Sequence, residues 1–322
     1  MIPRPTLRWT DRLPAGASWP VALKPGAAIG LFAPAHAFDR GEMERGAAML
    51  RSWGLTVKIP KKLGRRDRYL AGDDAHRLAV LAELMEDESV DGLMAVRGGF
   101  GCQRLLPALA PLWSRWPAKP IFGFSDLTAL HLARFQASGV AGYHAPMVVS
   151  LGKAAPGQLA DRPSQADLRR ALTSGDRSGG WAFAPRDILK PGHAEGPLLG
   201  GNLTLLTALA SGPWLPDFTG AILLVEDIDE PPYRLDRLLT TLRQSPIWER
   251  AAGLVFGAFT RCGPPAEVRR LLKEAAADFA GPVLCRAPFG HEARNRLFPI
   301  GALAELKAQG FGKGYFVRPQ LL

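Results

Sequence analysis

The stretch Ile121–Phe122–Gly123–Phe124–Ser125–Asp126–Leu127 sets a short apolar run against a glycine, a serine and then an apolar helical pattern. A strand–turn–helix that presents one side chain at its apex is written this way. Gly123 removes the Cβ that would crowd a sharp turn. Ser125 then stands at a helix N-terminus, where free N–H groups and the helix dipole stabilise a developing negative charge. The chemistry such a serine can do is nucleophilic acyl transfer. The full lipase-type pattern asks for a second glycine two residues after the serine, and Leu127 stands there. The same residues also fit a plain helix cap, with the serine accepting a backbone hydrogen bond. Partners elsewhere in the chain must decide between the two.

A serine needs a base, and the base needs an orienting acid. Six histidines compete for the base. His76 and His131 fall inside helical patterns, and His36, His144 and His193 fall in loops. His291 follows a strand pattern and the turn Pro288–Phe289–Gly290, the position of the base in α/β hydrolytic sites. Glu226 ends the apolar run Ile222–Val225, and a carboxylate at the mouth of a buried strand is costly unless it is paired. An ion pair to Arg234 or Arg237 on the next helix is the competing use. Asp227, Asp229 and Glu230 share that loop, and spacing does not choose among the four acids. Acyl transfer also needs oxyanion donors. Gly98–Gly99 in Arg97–Gly98–Gly99–Phe100–Gly101 lets backbone N–H groups turn inward, and the N–H of Asp126, next after the serine, is the usual second donor. Neither Gly-x-Gly-x-x-Gly nor a Walker lysine follows the loop, so no nucleotide site is expected.

The elements that must position these residues alternate in type. Periodicity predicts strands over 27–33, 55–59, 91–96, 121–124 and 142–144, with helices over 41–53, 75–85 and 126–138 between them. That alternation predicts an α/β fold with a doubly wound, mainly parallel sheet. Function in such sheets gathers beyond the carboxyl ends of the strands, where Arg97–Gly101 and Gly123–Asp126 both fall. The reading divides the chain into an irregular extension (1–22), an N-terminal domain carrying Ser125 (23–150), an inter-domain connection (151–195) and a smaller C-terminal α/β domain carrying Glu226 and His291 (196–322). In the connection, Pro156, Gly157, Pro163, Gly175, Gly179, Gly180, Pro185, Pro191 and Gly192 are expected to break any long element. The C-terminal half offers apolar strands near 221–225, 253–256 and 282–285 and two amphipathic helices, with stripes Leu235, Leu238, Leu239, Leu242 and, over 265–279, Val268, Leu271, Leu272, Ala275, Phe279.

Bulk properties bound the function. A chain of 322 residues with 47% hydrophobic and 22% charged residues has the composition of a globular protein. No run reaches the ~18 apolar residues that span a bilayer, and residues 1–24 have no apolar segment of a secretory signal. Cys102, Cys262 and Cys285 form neither a metal pattern nor a disulfide framework; a cytoplasmic location is expected. Net charge is +10. The densest basic cluster, Lys61, Lys62, Arg65, Arg66 and Arg68, lacks interleaved aromatics, so nucleic acid is not the expected partner. A solvated loop or an electrostatic lure for a carboxylate-rich substrate fits it.

Several blocks, in order, resemble the LD-carboxypeptidase family of serine peptidases, the murein tetrapeptide carboxypeptidases, which includes the microcin-immunity hydrolases. They are Ala33–Pro34, Arg97–Gly101, Gly123–Asp126, Gly200–Gly201–Asn202–Leu203, Glu226–Asp227 with Pro232–Tyr233 and Asp236–Arg237, and Pro288–His291 with Pro299–Ile300–Gly301. The resemblance implies a catalytic triad with Ser125 as nucleophile, His291 as base and then acid, and Glu226 as orienting carboxylate. Its oxyanion donors map to the backbone of Gly99 and Asp126. It implies hydrolysis of the bond between an L-centre, usually of meso-diaminopimelate, and a terminal D-alanine, in cytoplasmic peptidoglycan (muropeptide) recycling. It also implies no metal or cofactor and a homodimer, while charge pattern and hydropathy leave no nucleic acid or membrane partner expected. The chain departs from the family at Ala35–His36, where a serine often follows Ala–Pro, and at Phe100, where tyrosine is frequent. Two other readings stand beside it: a microcin-immunity-type amide hydrolase acting on another peptide conjugate, and a non-catalytic flavodoxin-like binding protein in which Ser125 only caps a helix.

Overall fold

The computed structural model describes residues 18–153, 159–175, 180–308, 314–315 and 318–319. Most of the extension expected at 1–22 lies outside them, as do Pro156, Gly157 and Gly179. The first strand, Ala28–Phe32 (β1), is buried at every position, as a parallel strand covered on both faces must be. It leads into α1 (Arg40–Ser52), capped by Asp39, whose carboxylate accepts the Glu42 N–H. There follow β2 (Thr56–Lys58), α2 (Asp74–Glu86), β3 (Gly92–Ala95), α3 (Cys102–Leu109), β4 (Ile121–Phe122), α4 (Leu127–Ser138), β5 (Gly142–His144) and α5 (Val148–Gly152). These strands pair in parallel in the order β2-β1-β3-β4-β5, the doubly wound sheet that the alternation predicts. Strand order reverses between β1 and β3, so the loops after these strands border one crevice.

The chain then forms α6 (Arg162–Ser174), β6 (Ala182–Phe183), β7 (Ile188–Lys190), β8 (Gly192–Asn202), α7 (Leu203–Leu209), β9 (Ile222–Ile228), α8 (Pro232–Arg243), α9 (Pro246–Arg250), β10 (Gly253–Thr260), α10 (Pro265–Ala277), β11 (Val283–Leu284), β12 (Phe298–Ile300) and β13 (Leu303–Ala308), with two-residue strands β14 (Gly314–Tyr315) and β15 (Arg318–Pro319). The second sheet runs β15-β13-β8-β9-β10-β11-β7, parallel from β8 to β11 and antiparallel at its edges. β12 does not join it. It pairs antiparallel with β5, Phe298 opposite His144, as the edge strand of the first sheet.

Each sheet builds its own apolar cluster, and α4 serves both. Leu127 through Phe135 are all buried, with Ala129, Leu130 and Ala133 in the first cluster and Leu132 and Phe135 in the second. A helix buried all round needs few polar positions; this one follows directly from the Ser125 turn. Helix α6 corrects the expectation that no long element occupies 151–195. Pro163 lies in its first turn, where its missing N–H costs nothing, and Gly175 caps its end at φ +63°. Two residues taken for interruptions are the helix termini. Its buried Leu168, Ala171 and Leu172 pack into the first cluster. Among the described residues no helix is long and apolar enough to cross a membrane.

Candidate active site

Ser125 sits between β4 and α4 with φ +66°. A non-glycine residue in that region stores strain on the order of 1–3 kcal/mol, and here it lifts the hydroxyl off the sheet. The His291 Nε2 atom lies 2.8 Å from Ser125 Oγ, and His291 Nδ1 lies 2.7 Å from Glu226 Oε2. With Nδ1–H donating to the carboxylate, Nε2 is left to accept the serine proton. The three side chains come from β4–α4, from the carboxyl end of β9 and from the loop between β11 and β12. They form one continuous hydrogen-bonded chain.

Geometry also resolves the four acids. Glu226 is fully buried and faces His291. Asp227 turns the other way and accepts from Asn202 Nδ2 (2.8 Å) and from the Thr204 N–H (3.0 Å). Asp229 is held by Arg261 and Glu230 by Arg234, so the ion pair considered for Glu226 belongs to its neighbour. Gly290 lets the His291 loop cross directly over the acid: a Cβ there would lie 3.0 Å from Glu226 Oε2, at φ +121°. Phe124 closes the other side, its ring 4.8 Å from that of His291.

The glycine loop touches the serine turn. A Cβ on Gly98 would lie 3.0 Å from Ser125 Cβ and 3.5 Å from the Asp126 nitrogen. Gly99, at φ +111°, packs against the ring of His36. The expected donors, Gly99 and Asp126, thus belong to two segments in contact. Asp126 adds a function its sequence position did not signal: its buried Oδ2 accepts the Cys102 N–H at 2.7 Å, tying the start of α3 to the serine turn. Burial holds that carboxyl above its ordinary range. The fully buried Arg77 donates to the carbonyls of Pro34, Gly72 and Gly101 and fixes the loop from beneath.

The His291 ring opens on a cleft of about 740 Å³ whose walls include Phe124, Ile228, Lys153, Arg261 and Arg294. A hollow of similar size, about 790 Å³, lies under the basic loop at Lys61, Lys62 and Arg65. It includes none of the three residues, so the smaller cleft is the one with chemistry. Among the described residues, the group able to gather on a metal ion is His193, Glu195 and Glu305. It lies at the start of β8, and Asn202, beside Glu226, ends the same strand.

Profiles of the LD-carboxypeptidase N-terminal and C-terminal domains match residues 29–145 and 195–306. A probable murein peptide carboxypeptidase of Bacillus subtilis is 34% identical over 295 residues, covering 89% of this chain and 91% of its own. The chain belongs to the LD-carboxypeptidase family. The murein tetrapeptide carboxypeptidase of Pseudomonas aeruginosa is 34% identical over 87% of this chain and 92% of its own. The crystal structure of a muramoyltetrapeptide carboxypeptidase from Oxalobacter formigenes superposes with TM-score 0.80 at 28% identity, over 92% of this chain and 99% of that one. This LD-carboxypeptidase homologue is therefore a peptidase by family.

Two further histidines of this LD-carboxypeptidase homologue, His131 and His144, serve the scaffold. His131 Nε2 lies 3.0 Å from the Gly123 carbonyl beneath the turn, and burial pushes its pKa down to about 4. His144 Nε2 meets Asn295 Oδ1 at 3.1 Å, and burial holds it well below its ordinary value. Sequence reasoning missed Asn202 and Asn295. Asn202 donates to Asp227 and, at 3.4 Å, to Glu226. Asn295 accepts the Gly290 N–H, and its own N–H donates to Ser164 on α6. Arg296 next to it grips Asp167 of α6 at 2.6 and 2.9 Å. The Gly200–Gly201–Asn202 block was the available signal for Asn202; for Asn295 there was none.

Proposed function

We propose that this protein is a serine LD-carboxypeptidase that hydrolyses the bond between the L-centre of meso-diaminopimelate and a terminal D-alanine in murein tetrapeptides, within cell-wall recycling. The observation that carries the proposal is the hydrogen-bonded chain Ser125–His291–Glu226 at the mouth of a cleft with cationic walls. His291 Nε2 takes the Ser125 proton as Oγ attacks the carbonyl carbon. Negative charge on the carbonyl oxygen is met by the N–H groups of Gly99 and Asp126. His291 then gives the proton to the departing amine, and water resolves the acyl-serine by the same relay. The reading carries with it a cytoplasmic location, a muropeptide as partner and a homodimer.

The test is direct. The purified protein, incubated with L-Ala–γ-D-Glu–meso-diaminopimelate–D-Ala, is expected to release D-alanine and to leave the D-Ala–D-Ala bond of the pentapeptide intact. Turnover of an aminoacyl-nucleotide conjugate with none of the tetrapeptide would give the site to the microcin-immunity type instead. No turnover in either assay would favour the binding-protein reading.

The pH profile gives a second expectation. Burial pulls the His291 pKa down, but the charge and hydrogen bond of Glu226, backed by Asp227 and Asp229, outweigh it and hold the imidazole above 6.5. His291 acts as a base only when neutral. The acid limb of kcat/KM is therefore expected to rise with its midpoint above pH 6.5. Burial first, and then the Glu226 charge, push Asp227 up to about 6, so it is mostly charged at the midpoint of that limb and above. Asp227→Asn removes a negative charge and is expected to move the midpoint to lower pH. An unmoved or higher midpoint would contradict the assignment.

A further inference from the structure

The proposed function does not say what holds the far end of the substrate, the free carboxylate of the leaving D-alanine. Proton transfer fixes the side on which it lies. In acylation the Ser125 Oγ–carbon bond forms, the carbon–nitrogen bond breaks, and the proton carried by His291 Nε2 passes to the departing nitrogen. The leaving group must therefore stand beside His291, and the cleft that opens there is the space available to it.

Three cations line that cleft: Lys153, Arg261 and Arg294. Arg261 is already engaged, its Nε and Nη2 each 2.7 Å from one oxygen of Asp229. Lys153 and Arg294 have no hydrogen bond or ion pair among the described residues. Of the acids on the same walls, Asp161 is occupied capping α6, its Oδ1 accepting the Ser164 N–H, and Glu292 is exposed. A third donor is buried in the same wall. Asn295 is 2% exposed; its oxygen serves Gly290 and His144, while its Nδ2 has no partner. A buried amide N–H without an acceptor is rare in folded proteins. A carboxylate docked there would supply the acceptor and pair with the guanidinium fork, the geometry that Arg–carboxylate recognition favours.

We infer that Arg294 and Lys153, with the buried Nδ2 of Asn295, form the anchoring site for the C-terminal carboxylate of the leaving D-amino acid. Such a site is what would make the enzyme a carboxypeptidase rather than an endopeptidase. The inference rests on the proposed function, and its test separates the two.

The tetrapeptide with a free C-terminus and the same peptide as its C-terminal amide are compared on the wild type, Arg294→Ala, Lys153→Ala, the double variant, and Lys61→Ala/Lys62→Ala as a charge-matched control. The wild type is expected to prefer the free acid. The double variant is expected to lose roughly tenfold to hundredfold in kcat/KM on the free acid, mainly through KM, and to change little on the amide, so the preference collapses. Arg294→Lys is expected to recover only part of it. The Lys61/Lys62 control keeps the preference, which separates a local anchor from attraction by the net charge. If the wild type cleaves the tetrapeptide and the double variant keeps the full preference, the anchor is wrong and the hydrolase stands. If the wild type releases no D-alanine, both fall together.

Discussion

Ser125→Ala is expected to reduce kcat for D-alanine release by roughly 10⁴-fold or more while leaving the fold intact. The substitution removes one oxygen, adds no atom and leaves the His291–Glu226 bond in place. Backbone strain at φ +66° is carried by alanine much as by serine, so the melting temperature should shift little. What disappears is the atom 2.8 Å from the imidazole. A fluorophosphonate should label the wild type at Ser125 and fail to label the variant. A variant that keeps more than about a tenth of the activity would remove serine from the mechanism. Labelling of a different residue would do the same.

The second large effect is expected at Glu226. Glu226→Gln keeps shape and volume in a fully buried site but replaces an acceptor-only group with one that also donates. The new amide nitrogen competes for the place of Oε2, 2.7 Å from His291 Nδ1. It favours the tautomer with the proton on Nε2, which cannot take the proton from Ser125. By analogy with the same change in other serine triads, kcat should drop by roughly 10³–10⁴-fold with KM nearly unchanged. The remaining acid limb should move to lower pH, because the strongest influence raising the His291 pKa is gone. A kcat within about tenfold of wild type would show that Glu226 only packs against the ring.

Much of the architecture was readable because it is local. Buried strands such as 28–32 and 92–95 are continuous apolar runs, and helices such as 265–277 carry their core stripe in the order of the residues. The two sheets follow from that alternation. The strand β12 was not readable: three residues, one of them Pro299, are a strand only because β5 lies beside them. Helix α6 was misjudged because Pro163 and Gly175 terminate helices as readily as they interrupt them. At the site, Ser125 and His291 stood out by local context, whereas spacing did not tell Glu226 from Asp227, Asp229 and Glu230: family resemblance named it, and in the fold it is the one that meets an imidazole 65 residues further on. Asn295 was invisible for the same reason, its partners being Gly290, His144 and Ser164.

The return of the chain through β12 has a mechanical consequence. Within a few residues the backbone leaves His291, bonds to the edge of the first sheet at Phe298–Ile300, and re-enters the second at Leu303. Gly301 and Ala302 meanwhile bond to Leu198. This segment works as a stitch between the two halves. Swinging them apart like a clamshell would tear it, and would carry the imidazole away from the hydroxyl in the same stroke. The relay is accordingly preassembled, and bringing its three members together asks no jaw-like closure of the two halves.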